Sequence, residues 1–155
     1  MKIRDAVDGD VPELLALYRY LTPEDPPCDA RHAQEVLKRI AAFPGSAVLV
    51  AETEDGAAPA LVGSVTMIVI PNLSRGGAPY ALIENVVTHG DRRGQGIGKA
   101  MLADAADRAW AAGCYKVMLM TGSRRASTLG FYRAAGFEQS KTGFQMRRRP
   151  ARAEA

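Results

Sequence analysis

Arg92-Arg93-Gly94-Gln95-Gly96-Ile97-Gly98-Lys99 joins an apolar run, Ala81 to Thr88, to a helical pattern that continues to Ala112. Glycine has no Cβ and tolerates φ > 0, so glycines at alternate positions let the backbone curl and turn several N–H groups towards one ligand. Those donors fall at the start of a helix, where unbonded N–H groups and the helix dipole favour an anion. Arg92, Arg93 and Lys99 add positive charge to the same turn. The stretch reads as a phosphate or pyrophosphate cradle. The competing reading is a glycine-rich turn that only converts a strand into a helix.

Spacing sorts among the cradles. A P-loop needs Gly-x-x-x-x-Gly-Lys-Ser/Thr, but Ala100 follows Gly98-Lys99, leaving no hydroxyl for magnesium. A dinucleotide fingerprint needs Gly-x-Gly-x-x-Gly, and Lys99 stands in place of its third glycine. Arg93-Gly94-Gln95-Gly96-Ile97-Gly98 instead resembles the Arg/Gln-x-x-Gly-x-Gly/Ala signature of the GNAT N-acetyltransferases. The resemblance extends along the chain. Ile3-Arg4-Asp5-Ala6 and Asp10-Val11-Pro12-Glu13-Leu14 look like that family's first strand and helix, and Gly130-Phe131-Tyr132-Arg133-Ala134-Ala135-Gly136-Phe137 like its closing helix and turn.

The outward reading is compatible with this. Lys2–Val7 is strand-like, and Asp10 with Glu13 resembles a capping box ahead of Val11, Leu14, Leu15, Tyr18 and Leu21 at helical spacing. A second helix is expected from about Asp29 to Ala42. Ser46–Glu52 and Ala60–Ile70 read as strands joined by a turn at Asp55-Gly56, and Tyr115–Met120 as a buried strand. A helix is expected near Ser127–Ala135 with Gly136 as its cap, and Lys141–Arg147 as a last strand. The fold class is therefore α/β (α+β): one GNAT-like domain over residues 1–147, with a mixed, mostly antiparallel central sheet flanked by about four helices. Residues 148–155 are expected to be a disordered basic tail.

Composition narrows the function classes. The 155 residues are 47% hydrophobic and 24% charged, ordinary for a globular domain with a sizeable core. The net charge of +3, with no aromatic-interleaved basic stripe, does not point to nucleic acid. Asp5, Asp8 and Asp10 occupy the place of a signal-peptide apolar region, and the longest apolar stretch, 60–70, carries Gly63, Ser64 and Thr66. It is well short of the roughly 20 residues that span a bilayer, so neither a leader nor a membrane partner is expected. Cys28 and Cys114 have no metal-ligand spacing and form no disulfide framework. The expected setting is the cytoplasm, with no metal.

The resemblance implies acetyl transfer from acetyl-CoA, and the chemistry identifies what must be present. Holding both reactants in place can supply about 7–11 kcal/mol of the barrier. The amine must lose a proton, since an ammonium with a pKa of about 10.4 is no nucleophile. The carbonyl oxygen needs donors as it gains charge. By resemblance, Arg93, Gly94, Gln95, Gly96, Ile97, Gly98 and Lys99 bind the pyrophosphate, and the backbone of Val86, Val87 and Thr88 pairs with the pantetheine arm and polarises the thioester. Tyr132 matches the tyrosine that protonates the coenzyme A thiolate; packing beside Phe131 and Phe137 is its other reading. Ser127 stands where part of the family uses asparagine to contact the cofactor.

Glu84 and Asn85 interrupt the apolar run 81–88, an expensive place for a carboxylate unless it is paired or faces a cleft. In a regular strand they would lie on opposite faces. Glu84 is the candidate base, directly or through water; an ion pair with an arginine accounts for it equally well. Met118 and Met120 read as strand core, Cys114 as a buried inert thiol, and His89 as a surface-loop residue. His32 has no evident partner.

Within the family, Ile83-Glu84-Asn85-Val86-Val87, Gly113-Cys114-Tyr115-Lys116-Val117 and Phe131-Tyr132 are similar to glucosamine-6-phosphate N-acetyltransferases over about the C-terminal half. Those enzymes typically carry Asp at the positions of Asn85 and Met120, a departure that weakens the case for amino-sugar phosphate specificity and leaves such an amino-sugar enzyme as the alternative reading. The expected acceptor is a primary amine, more readily of a small metabolite than of a protein. The resemblance also allows a homodimer. The rival reading from another class is a catalytically silent coenzyme A-binding sensor or interaction module.

Overall fold

A computed structural model describes residues 1–54, 56 and 60–148. Met1–Leu119 form one compact unit, and the residues from Met120 a second. Asp55 of the expected turn and residues 149–155 of the expected tail lie outside the described residues.

The first unit is a five-stranded sheet in sequential order: β1 (Lys2–Asp5), β2 (Ala47–Glu52), β3 (Leu61–Ile70), β4 (Tyr80–Thr88) and β5 (Val117–Leu119). The first three pairings are antiparallel and β4–β5 is parallel. Three helices belong to this unit: α1 (Val11–Leu21), α2 (Ala30–Ala41) and α3 (Ile97–Ala111). Strand pleating sorts the core into two layers. Val48, Val50 and Val87 pack with Val11, Leu14, Leu17 and Leu37 of α1 and α2. The opposite face carries Gly63, where an added Cβ would come within 2.8 Å of Met101 Sδ and 3.0 Å of Ile97 Cγ2. Glycine at 63 thus lets α3 lie directly on β3.

Helix caps follow local chemistry only in part. Asp29 caps α2 by accepting from the His32 N–H at 3.1 Å. The capping box read at Asp10 and Glu13 is not formed. Asp10 accepts two hydrogen bonds from Arg4 (2.7 and 2.9 Å) and one from the Val7 N–H, while Glu13 accepts from the Leu61 N–H at 2.8 Å. Both acids are drawn off by partners that sequence spacing cannot see. The Arg4 guanidinium, which also donates to Glu52 at 2.8 Å, holds the Asp10 carboxyl below the usual carboxylate range.

A depressed carboxyl pKa stabilises the fold above the ordinary aspartate value, and the contribution is lost as pH falls through the lower folded value. Arg4→Met should therefore cost ~2 kcal/mol near neutral pH, the range for hydrogen bonds to a charged group. The difference from wild type should shrink towards about pH 2, as Asp10 and Glu52 take up protons. Urea unfolding at the two pH values checks this; a deficit that does not depend on pH would assign it to lost packing.

The second unit contains α4 (Ala126–Ala134). Tyr132 is flanked edge-on by Phe131 (ring centroids 5.0 Å apart) and Phe137 (6.4 Å). Gly136, at φ +91°, takes the left-handed position after the helix, and the Phe137 N–H returns to the Tyr132 carbonyl at 3.0 Å. The expected strand over Lys141–Arg147 is not present: these residues pair in no ladder, and Phe144 and Met146 are exposed. Met120 also departs from expectation, lying beyond β5 and 57% exposed rather than in the core.

Candidate active site

The expected regular strand at 81–88 is broken in the middle. Thr66 pairs with Glu84 and Ser64 with Val87, so the single residue Val65 of β3 opposes two residues of β4, Asn85 and Val86. This is a β-bulge. Asn85 has φ +53°, a left-handed conformation that asparagine tolerates far better than a branched residue. Alternation therefore resets within the strand. Ala81 and Ile83 are buried under α3, whereas Val87 is buried under α1 and α2. Glu84 and Val87 end up on the same face, opposite Thr66 and Ser64.

The same strand loses its outer partner at the same place. β5 pairs only with Ala81, Leu82 and Ile83. From Glu84 to Thr88, no strand among the described residues covers that edge of β4. Backbone N–H and C=O groups of a half-buried edge want partners, and an extended ligand can supply them. Val86 and Thr88 are half-buried there and Val87 is 5% exposed, its side chain taken by the core.

Beyond Thr88 the His89 N–H bonds to the Val62 carbonyl at 2.9 Å, and a 3-10 turn over Gly90–Arg92 leads into the glycine loop. Gly94 (φ +77°) and Gly96 (φ +80°) are both left-handed, as the alternate-glycine reading requires. An added Cβ at either meets nothing within 4 Å, so backbone conformation rather than crowding demands glycine. Gly96 is the N-cap of α3, without a side chain to cap it and without an acidic residue in the first turn. Ile97, 7% exposed, pins the loop to the core, and Gly98 opens the helix. Arg93, Gln95 and Lys99 are exposed around this end, and neither Arg93 nor Lys99 has an ion pair among the described residues. The helix start offers free N–H groups and unspent positive charge.

Glu84 settles one of the two readings weighed from sequence. Its half-buried carboxylate has no ion pair and no hydrogen bond among the described residues, so an arginine counter-ion is not what keeps it in the strand. Burial pushes the Cys114 thiol above its ordinary pKa, in keeping with an inert cysteine. No cluster of three or more metal-ligating side chains occurs among the described residues.

His89 is better integrated than a surface-loop residue. Its Nδ1 accepts from the Asp91 N–H at 3.4 Å, leaving Nε2–H to donate to the Tyr20 hydroxyl at 3.0 Å, with the two rings edge to face. Tyr20 and His89 both line a groove of about 340 Å³ together with Glu13 and Leu17 of α1 and Leu61. Tyr20 was not legible as a site residue, because it falls at the end of a regular helical pattern and its partner lies 69 positions away.

In the second unit, Tyr132 is half-buried in α4 and Ser127 is exposed in its first turn. Five residues apart, they point about 140° from each other around the helix axis.

The Acetyltransferase (GNAT) family matches residues 14–137, across the bulged strand, the glycine loop and α4. The chain belongs to this family. GNAT enzymes take their acyl group from acetyl-CoA, and the open strand edge followed by an uncapped, glycine-built helix start fits an extended arm ending in a diphosphate. A glucosamine 6-phosphate N-acetyltransferase of Trypanosoma brucei brucei is 38% identical over 77 residues, and the chain spans about half the length of this curated relative. Among solved structures, a putative acetyltransferase from Agrobacterium tumefaciens is 44% identical, covers 96% of this chain and 100% of its own, and superposes with a TM-score of 0.87. A Trypanosoma brucei acetyltransferase is 27% identical over 94% of this chain and 98% of its own, at 0.82. The glucosamine-6-phosphate N-acetyltransferase of Arabidopsis thaliana, at 20% identity and 0.85, shares the fold. No helix among the described residues is long and apolar enough to cross a membrane.

Proposed function

We propose that this GNAT protein transfers the acetyl group of acetyl-CoA to a primary amine of a small metabolite, by direct attack in a ternary complex. The observation that carries the reading is the continuity of the bulged, open-edged strand 84–88 with the left-handed glycines at the uncapped start of α3. Residues 93–99 hold the diphosphate through main-chain N–H groups and the charges of Arg93 and Lys99. The backbone of Val86, Val87 and Thr88 holds the arm and polarises the carbonyl. Bound acetyl-CoA supplies an activated acyl group on a thiol leaving group. Glu84 takes the proton that the amine must shed, directly or through water. As the new C–N bond forms and the C–S bond breaks, the Tyr132 hydroxyl gives a proton to the departing sulfur and is reprotonated by the second proton that the acylated nitrogen sheds, so the exchange balances. Ser127 contacts the cofactor in this scheme.

Catalysis by placement outweighs proton transfer here, because a thiol with a pKa of about 8.5 leaves readily. Tyr132→Phe should therefore lower kcat by only about 10-fold, at the weak end of acid–base effects, with acetyl-CoA affinity little changed. Steady-state kinetics decide it, and unchanged turnover removes Tyr132 from the mechanism.

The relative of known name supports an amino-sugar phosphate acceptor as a second reading. Asn85 and Met120, where such enzymes carry acids, weigh against it. The catalytic domain spans 1–147 in this proposal, with 148–155 as a basic tail; a homodimer rests on the family resemblance, and a cytoplasmic setting on the short apolar runs. A panel of amino sugars, polyamines, amino acids, aminoglycosides and peptides, assayed for free coenzyme A, tests the proposal. Release with one class names the acceptor. Coenzyme A binding without release from any of them would favour the silent sensor.

A further inference from the structure

Two polar atoms in the centre of the sheet have no explanation in packing. Ser64 Oγ and Thr66 Oγ1 are sealed from solvent and have no hydrogen-bond partner among the described residues, on residues 0% and 5% exposed. Buried hydroxyls without partners are rare and costly, and valine would fill the Thr66 site equally well beside Val48. The two hydroxyls differ in what stands across from them. Ser64 faces Val87, which accepts nothing; Thr66 faces Glu84, which carries the unpaired carboxylate. Residues directly opposite in an antiparallel pair have Cβ atoms about 4.5–5.5 Å apart, within reach of a hydroxyl and a flexible carboxylate.

We propose that Thr66 is a positioning residue: its buried hydroxyl, unpartnered in this structure, donates a hydrogen bond to the Glu84 carboxylate when that side chain turns across the strand pair, and so holds it towards the amine. The inference rests on Glu84 serving as the base. It explains why threonine and not valine occupies this site. The surroundings offer little competition. β3 and β5 carry no titratable side chain, and α3 packs on the opposite face. Over the Glu84 face, α1 brings Tyr18, packed against the apolar core, Glu13, occupied by the Leu61 N–H, and Arg19 and Tyr20, which line a groove with His89; none of them pairs with Glu84 among the described residues.

Thr66→Val tests this, with Thr66→Ser as the conservative variant and Ser64→Ala as the control for any buried hydroxyl. Removing a donor to an ionised carboxylate favours its neutral form. Thr66→Val should move the acidic limb of the pH–rate profile up by about one pH unit and lower kcat on that limb about tenfold, with KM for acetyl-CoA unchanged. Carboxyl-carbon NMR should show the Glu84 signal of Thr66→Val moving at higher pH than in wild type. Thr66→Ser should restore both, and Ser64→Ala should leave both alone. A Glu84 signal that titrates alike in Thr66→Val and wild type overturns the proposal, as does an equal shift in Ser64→Ala. The NMR arm decides the hydrogen bond even if Glu84→Gln proves kinetically silent, which would instead sink Glu84 as the base. Should Thr66→Val not fold, Thr66→Ala gives the same readout.

Discussion

Acetyl-CoA at about a hundred times its dissociation constant should stabilise the wild-type protein by roughly 2.7 kcal/mol, and Gly96→Glu should abolish the effect. For a domain of this size the wild-type shift corresponds to about 5–10 °C in melting temperature. The two consequences of the substitution can be separated. Any side chain at φ +80° strains the backbone, by about 1–2 kcal/mol in the left-handed region. Glutamate partly offsets this in the free protein, because a carboxylate at a helix start interacts favourably with the dipole. Towards a diphosphate the same carboxylate is doubly adverse: it occupies the anion's place and repels it. The unliganded melting temperature should therefore change little while the ligand-induced shift disappears. Thermal denaturation with and without acetyl-CoA reads both. Absence of a shift in the wild type would reject the diphosphate cradle.

Glu84→Gln should lower turnover by about 10²-fold near neutral pH, with the deficit closing in alkali. The pH dependence follows from the amine. Near neutrality almost all of it is protonated, and a base beside it recovers the reactive form at the site. As the pH approaches the amine's own pKa of about 10.4, solution supplies that form and the base becomes redundant. Glutamine keeps the size of the side chain, and the carboxylate has no ion pair among the described residues to lose, so folding should not suffer. A uniform loss across the pH range would assign Glu84 to binding. An unaltered pH–rate profile would hand the proton to water or another group.

These two predictions rest on parts of the site that were unequally legible. Residues 94–99 carry their own geometry: alternate glycines satisfy left-handed φ values whatever surrounds them, and the helix read from Gly98 to Ala112 forms from Ile97 to Ala111. The strand before it was equally clear in extent, Ala81–Thr88 against Tyr80–Thr88. Its interior was not. The polar pair Glu84-Asn85 was visible, and asparagine's tolerance of positive φ was the available clue to a bulge, but two residues opposing one is a property of the pairing with β3. The missing last strand has the same origin. Phe144 and Met146 alternate as a strand should, yet alternation without a ladder partner is not a strand. Asp10 and Glu13 were correctly spaced for a cap and were taken by Arg4 and Leu61, 6 and 48 positions away.

By itself the sequence determined a glycine-built anion cradle, the elements on either side of it and the family they belong to, because each depends on neighbours along the chain. The tertiary structure decided which way the candidate base faces, that no cation among the described residues pairs with it, and that a buried threonine hydroxyl stands across from it. Register, bulges and cross-strand contacts are relations between segments far apart in sequence. Pairing free energy, and not local preference, selects them.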